Sequence, residues 1–221
     1  MKNAALASVT VFVCATAFGF AAPLAAQTVE FGPRAGIAFS TVSVKPRSGT
    51  NNTQEGNVTG FAVGGFARFR PGKLGVQTEL NFVRKGASLV TPNSPTNAMD
   101  LQLDYLEVPL LLMVPVTGGS SASASVYGGP ALALETSCHG TMTGLPSRAH
   151  FNCNDPNFDV FDRRQMDIGA AAGAALRLPM GSGAIVADLR YTFGFVNLNK
   201  ENGDKVHNRS TMVTLGYAIA R

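Results

Sequence analysis

Nine charged side chains carry most of the chemistry this chain could do: Arg34, Arg68, Glu79, Lys85, Glu107, Asp167, Arg177, Asp188 and Arg190. They are spread over the chain rather than clustered, with the two signs in near balance. Guanidinium and carboxylate groups of this kind pair through charge-assisted hydrogen bonds. Catalysis would need more, a nucleophile within reach of a base or two carboxylates set at a working distance. No motif of that kind is present. His139, His150 and His207 lie in polar stretches with no recognised Ser or Cys nucleophile beside them.

Cys138 and Cys153 are the second chemical feature. In an exported chain a disulfide is the expected state of two such cysteines, and closing the intervening loop is worth roughly 3 kcal/mol. The competing chemistry is a metal site built from Cys138, His139, His150 and Cys153. Adjacent Cys-His is poor zinc spacing, because a first ligand pair normally has two to four residues between its members. The disulfide is therefore expected, with no metal and no other cofactor.

Export is read from the first 26 residues. Lys2 gives a positive start, Leu6–Phe20 an apolar core, and Ala22–Ala26 a small-residue exit before Gln27. This is the pattern of a cleaved secretory signal peptide. An uncleaved anchor is disfavoured by Pro23 and the small residues before Gln27. Cys14 is no lipid-attachment site, since bulky Val13 precedes it. The mature domain then runs over 27–221.

The charged residues must be positioned by elements, and the elements read as strands. In Leu103–Val116, two prolines argue against a helix. With a period of two, Leu106, Val108, Leu110, Leu112, Val114 and Val116 share one face. Tyr105, Glu107, Pro109, Leu111 and Met113 share the other. The same alternation recurs in Val29–Thr41, Val58–Arg70, Leu74–Lys85, Met166–Leu178, Ala184–Phe195 and Thr211–Arg221, and more weakly in Ser123–Leu134. Met166–Leu178 is alanine-rich enough for a helix, but the glycines on one face and the fit to its neighbours favour a strand.

That makes about eight strands, joined alternately by short and long connections. Pro71–Lys73, Thr117–Ala122 and Pro179–Gly183 are short. Val42–Asn57, Gly86–Asp100, Glu135–Gln165 and Val196–Asn208 read as long loops. A meander puts all short turns at one end and all long loops at the other, as in a barrel with short periplasmic turns and long external loops.

Charged residues are only 14% of the chain, against ~25% for an ordinary soluble domain. No mature segment is apolar enough for a spanning helix. The net charge of +4 is dispersed, so nucleic acid is not expected as a partner. Two arrangements fit. A soluble barrel would turn its apolar faces inward around an apolar ligand. A membrane barrel would turn them out toward lipid and pair its arginines and acids within. Glycine-rich mixed faces holding both signs suit a narrow lumen, and closure leaves no unpaired edge in hydrocarbon. The membrane arrangement is therefore expected.

In order, FGPRAGIAFS, GFAVGGFARF, LGVQTELNFVRKGASL, LDYLEVPLLL, VYGGPALAL, MDIGAAAGAAL, LRYTFGFVNL and VTLGYAIA span nearly all of the mature chain. This ordered set resembles the small bacterial outer-membrane β-barrel proteins of the outer membrane protein beta-barrel domain, or porin-like (PorT-like), type. The resemblance implies an eight-stranded antiparallel up-and-down barrel in the cell outer membrane, without catalytic residues. It also implies lipid and the barrel-insertion machinery as partners. Many such barrels end on an aromatic residue read by that machinery, whereas this chain ends Ile219-Ala220-Arg221. The function expected is structural, surface-interactive through the loops toward an extracellular ligand, or passage of very small solutes. Two other classes stay open at this point: the soluble ligand-carrying barrel, and an outer-membrane hydrolase or acyltransferase dependent on a loop histidine.

Overall fold

The computed structural model describes residues 28–45, 54–56, 58–91, 94–117, 121–143, 149–153, 165–196 and 205–220. The stretch read as a signal peptide lies outside them. Among the described residues there are ten strands: β1 (Thr28–Lys45), β2 (Gln54–Gly56), β3 (Val58–Arg70), β4 (Gly75–Thr91), β5 (Ser94–Thr117), β6 (Ser123–Met142), β7 (Ala149–Asn152), β8 (Met166–Met180), β9 (Gly183–Gly194) and β10 (Lys205–Ala220). Eight of them are long. Each long strand pairs antiparallel with the next, and β10 returns to β1 through Ile37↔Val213 and its neighbours. The sheet is thus a closed meander. The short strands β2 and β7 add to β4 and β6 beyond the ring.

Closure follows from the period of two. Along β1, Phe31, Pro33, Ala35, Ile37 and Phe39 are exposed, while Arg34, Ala38 and Ser40 are buried. On β5, Val108, Leu110, Leu112 and Val114 face out and Glu107, Pro109, Leu111 and Met113 face in. Leu110, Leu189 and Leu215 are 53, 54 and 61% exposed, whereas Arg68 and Arg190 are 4 and 1% exposed. Such a surface is stable only against hydrocarbon. The soluble alternative required the reverse placement and is corrected here: the apolar faces point outward.

Aromatic residues mark the edges of that surface. Phe31 and Phe69 lie outward near one end, and Phe39 and Phe61 near the other. Phe31 and Phe39 are eight residues apart on one strand, roughly 26 Å along it. Tilted as barrel strands are, that length rises about 20 Å across the membrane, most of the ~25 Å apolar band between aromatic girdles in outer-membrane barrels.

The strands are longer than alternation suggests. β1 continues to Lys45, β4 to Thr91, β6 to Met142, and β5 already begins at Ser94. Much of the Gly86–Asp100 and Glu135–Gln165 stretches is therefore strand rather than loop. Outside the lipid both faces of a ladder can be polar, so the periodic signal vanishes while the backbone hydrogen bonds persist. At the opposite end the connections are tight. Met180 pairs with Gly183, and Gly181 between them has φ of 62°, the left-handed conformation that glycine adopts without steric cost.

Two prolines face each other's neighbourhood inside the sheet. The β5–β6 register runs Pro109↔Ala131 and resumes at Leu112↔Gly128, passing over Pro130. Proline has no N–H to give a ladder, which accounts for the gap.

Candidate functional site

Inward-facing polar side chains fill the lumen in three layers. The lowest is at the tight-turn end, where the chain termini of the barrel also lie. Glu30 on β1 is 3% exposed and takes three guanidiniums. Arg68 Nη1 is 3.3 Å away, Arg70 Nη2 3.5 Å and Arg177 Nε 2.9 Å. Arg68 Nε also donates to Gln77 Oε1 at 2.8 Å, and Gln77 passes a hydrogen bond on to Glu79.

Glu79 on β4 is the hub of the middle layer. Arg190 of β9 grips it with two parallel bonds, Nη1 to Oε2 at 2.7 Å and Nη2 to Oε1 at 2.6 Å. Arg34 of β1 contacts the same carboxylate, and Asn81 Nδ2 donates to it at 2.7 Å. Arg34 Nη2 also reaches Asp188 Oδ1 at 2.6 Å and donates to Thr214. The Tyr127 hydroxyl donates to Asp188 Oδ2 at 2.7 Å and accepts from Arg190 Nε at 3.2 Å. Two cations and two anions thus neutralise one another across a ring of strands, from β1 and β10 to β4 and β6. Small inward residues make room for this. A Cβ at Gly173 would stand 2.5 Å from the Tyr127 hydroxyl oxygen.

The upper layer holds Lys85, which is ion-paired with Glu107 and lies 5.4 Å from the Tyr105 ring centroid. Asp167 is in the same layer, 5% exposed. Below the middle layer, Phe66, Leu111, Met113 and Val186 pack together inside the lumen. The space left beside Arg34, Phe66, Arg68 and Asp188 is about 10 Å³, room for no more than a single water.

A family model described as outer membrane protein beta-barrel domain matches residues 25–200. The chain belongs to the outer membrane protein beta-barrel domain family. It is accordingly a protein of the outer membrane, with lipid against its apolar exterior. In this family setting the tight turns face the periplasm and the extended strand ends face the cell exterior.

Among solved structures, the chain is similar to the outer membrane protein OprG from Pseudomonas aeruginosa, at 14% identity and a TM-score of 0.50, over 86% of this chain and 95% of that one. It is similar to the outer membrane protease OmpT from Escherichia coli at 8% identity and a TM-score of 0.50, over 88% and 97%. Ail, the attachment invasion locus protein of Yersinia pestis, is similar at 16% identity and a TM-score of 0.42, over 86% and 99%. At these identities the likeness is one of fold. No curated protein sequence matches the chain.

The structure places the nine charged residues named from the sequence in three separate groups. Arg34, Glu79, Asp188 and Arg190 meet in the middle, Arg68 and Arg177 meet at Glu30 below, and Lys85, Glu107 and Asp167 stand above. Sequence reading passed over Glu30 and Tyr127. Extending the β1 alternation back one step from Gly32 places Glu30 inward. Tyr127 was hidden by the Gly128-Gly129-Pro130 break. An outward pair was also missed: Arg84 Nε donates to Asp104 Oδ1 at 2.8 Å, with its guanidinium 5.0 Å from the Phe61 ring centroid.

Cys138 and Cys153 are bonded as a disulfide, Cα atoms 5.5 Å apart. Both were expected in a loop. Instead Cys138 is in β6 and Cys153 follows β7, because the β6–β7 ladder continues outside the membrane. His139 and His150 are exposed on this ladder, each bonded through Nδ1 to a hydroxyl, of Ser137 and Thr141. Changing both cysteines to serine is expected to leave the barrel folded and loosen the β6–β7 extension by up to about 3 kcal/mol. Thiol labelling before and after reduction checks the bond, and amide exchange confined to β7 checks the local effect.

Proposed function

We propose that this protein is a closed outer-membrane barrel whose role is structural or interactive at the cell surface, with passage limited to very small solutes. The observation that carries the reading is the neutral cluster Arg34–Glu79–Arg190–Asp188, which bridges opposite walls of the lumen. An eight-strand barrel has a bore that side chains alone can fill. The lower and central lumen charges, Arg34, Arg68, Glu79, Arg177, Asp188 and Arg190, serve this reading as a plug, because buried ions that satisfy one another have no room left to hydrate a passing solute. The external strand extensions, braced by Cys138–Cys153, are the part offered to an extracellular ligand.

Residues 1–26 fit this reading as a signal peptide that exports the barrel domain, 27–221, to the insertion machinery. A catalytic role is not favoured. His139 and His150 are exposed and hydrogen-bonded to hydroxyls, and among the described residues neither is oriented by a carboxylate as a base would require. The test is planar-bilayer conductance of the refolded mature chain. We expect a silent or barely conducting membrane for the wild type. Frequent large open steps at low voltage would sink the closed-barrel reading.

A further inference from the structure

Every lumen carboxylate except one has a cationic partner among the described residues. Glu30, Glu79, Glu107 and Asp188 are each ion-paired. Asp167 is not. One of its oxygens accepts from the backbone N–H of Val196, while Oδ1 is buried with no hydrogen-bond partner. An ionised carboxylate removed from water without a counter-charge is costly, so it either takes up a proton or recruits a cation.

The surroundings favour a cation. Asp167, Ala133 and Glu107 form a row across β8, β6 and β5, all directed into the lumen. The alanine between the two acids leaves a notch. Lys85 is ion-paired with Glu107 and also acts on Asp167, so among the described residues of this layer one lysine serves two acids, and one negative charge is left over. The space is held open on the other side by Gly194, where a Cβ would stand 2.2 Å from Asp167 Oδ2. The layer lies above the central cluster, on the side of the extended strand ends.

We propose that Asp167 is a binding site for a single small positive charge, a primary ammonium group or an alkali ion. A monovalent ligand matches the one missing charge. A divalent ion would leave an excess positive charge beside Lys85.

The test is a titration of the full mature chain, refolded in micelles, followed by the amide resonances of Gly194 and Val196. Methylammonium chloride is the probe and choline chloride, at equal ionic strength, the size control. A saturable shift with methylammonium alone is expected. Asp167→Asn should weaken it at least about tenfold, the loss of one charge-assisted hydrogen bond. Asp100→Asn, which removes an exposed acid on β5, should leave it unchanged. Competition by sodium assigns the site to cations generally, and its absence assigns it to ammonium groups. If Asp167→Asn does not fold, Gly194→Ala, which crowds the carboxylate aside, decides by the same readout. No saturable shift, or one that survives these variants, overturns the proposal and leaves Asp167 as a protonated wall residue.

Discussion

Glu79→Met should destabilise the barrel by about 3–5 kcal/mol, the cost of leaving buried charge without its partner. Glu79 is the meeting point of Arg34 and Arg190, with side chains 0, 4 and 1% exposed respectively. Without it, two guanidiniums face one carboxylate, Asp188, which Arg190 approaches only to 3.8 Å. Methionine matches the length of glutamate but supplies no acceptor, and Asn81 and Gln77 lose theirs as well. Urea unfolding in phospholipid vesicles, followed by heat-modifiable gel mobility, measures the loss.

The double variant Glu79→Met/Arg190→Met should recover a large part of that stability, because the second change removes the stranded charge. Coupling of this sign is what residues in one ion-pair network show. Arg190→Lys should not substitute for arginine, since an ammonium cannot make the two parallel bonds seen here. A single variant that unfolds like the wild type, or a double variant no better than the single one, would mean that the cluster does not hold the barrel together.

Leu189→Arg is expected to cost about 2–4 kcal/mol, the penalty for a guanidinium on the lipid face near the bilayer midplane. The position is one residue from Arg190 and points the other way, 54% exposed on the outer surface. The same functional group is therefore stabilising at one position and costly at the next. In a water-exposed barrel the substitution would be neutral, within the ~0.5 kcal/mol of ordinary surface changes. Unfolding of the variant in vesicles decides between the two, and a neutral result there would contradict the membrane orientation. Alanine at the same position gives the cost of lost lipid contact alone, for subtraction.

Fold and orientation could be read from residue order because a transmembrane strand obeys two demands at once. Lipid requires Leu110, Leu189 and Leu215 outside, and the pleat then forces Glu107, Arg190 and Thr214 inside. Each strand carries this information in its own alternation, with no need to know its neighbours. Where one demand lapses the reading fails. Beyond the hydrocarbon, at Ser94–Met99 and Ser137–Met142, hydrogen bonding continues but the outer face is no longer selected for oil. Those stretches looked like loops and are strands.

By itself, then, the order of residues determined the closed eight-strand meander and the face each side chain takes within the hydrocarbon. Only the tertiary structure decided which charges meet. Arg34 finds Asp188 across 154 positions and Glu79 finds Arg190 across 111. These partners depend on the shear of the closed ring and on which small residues leave space, as Gly173 does for Tyr127 and Gly194 for Asp167. Alternation says in or out, but height along the barrel axis is a property of all eight strands together, and it is height that leaves Asp167 alone.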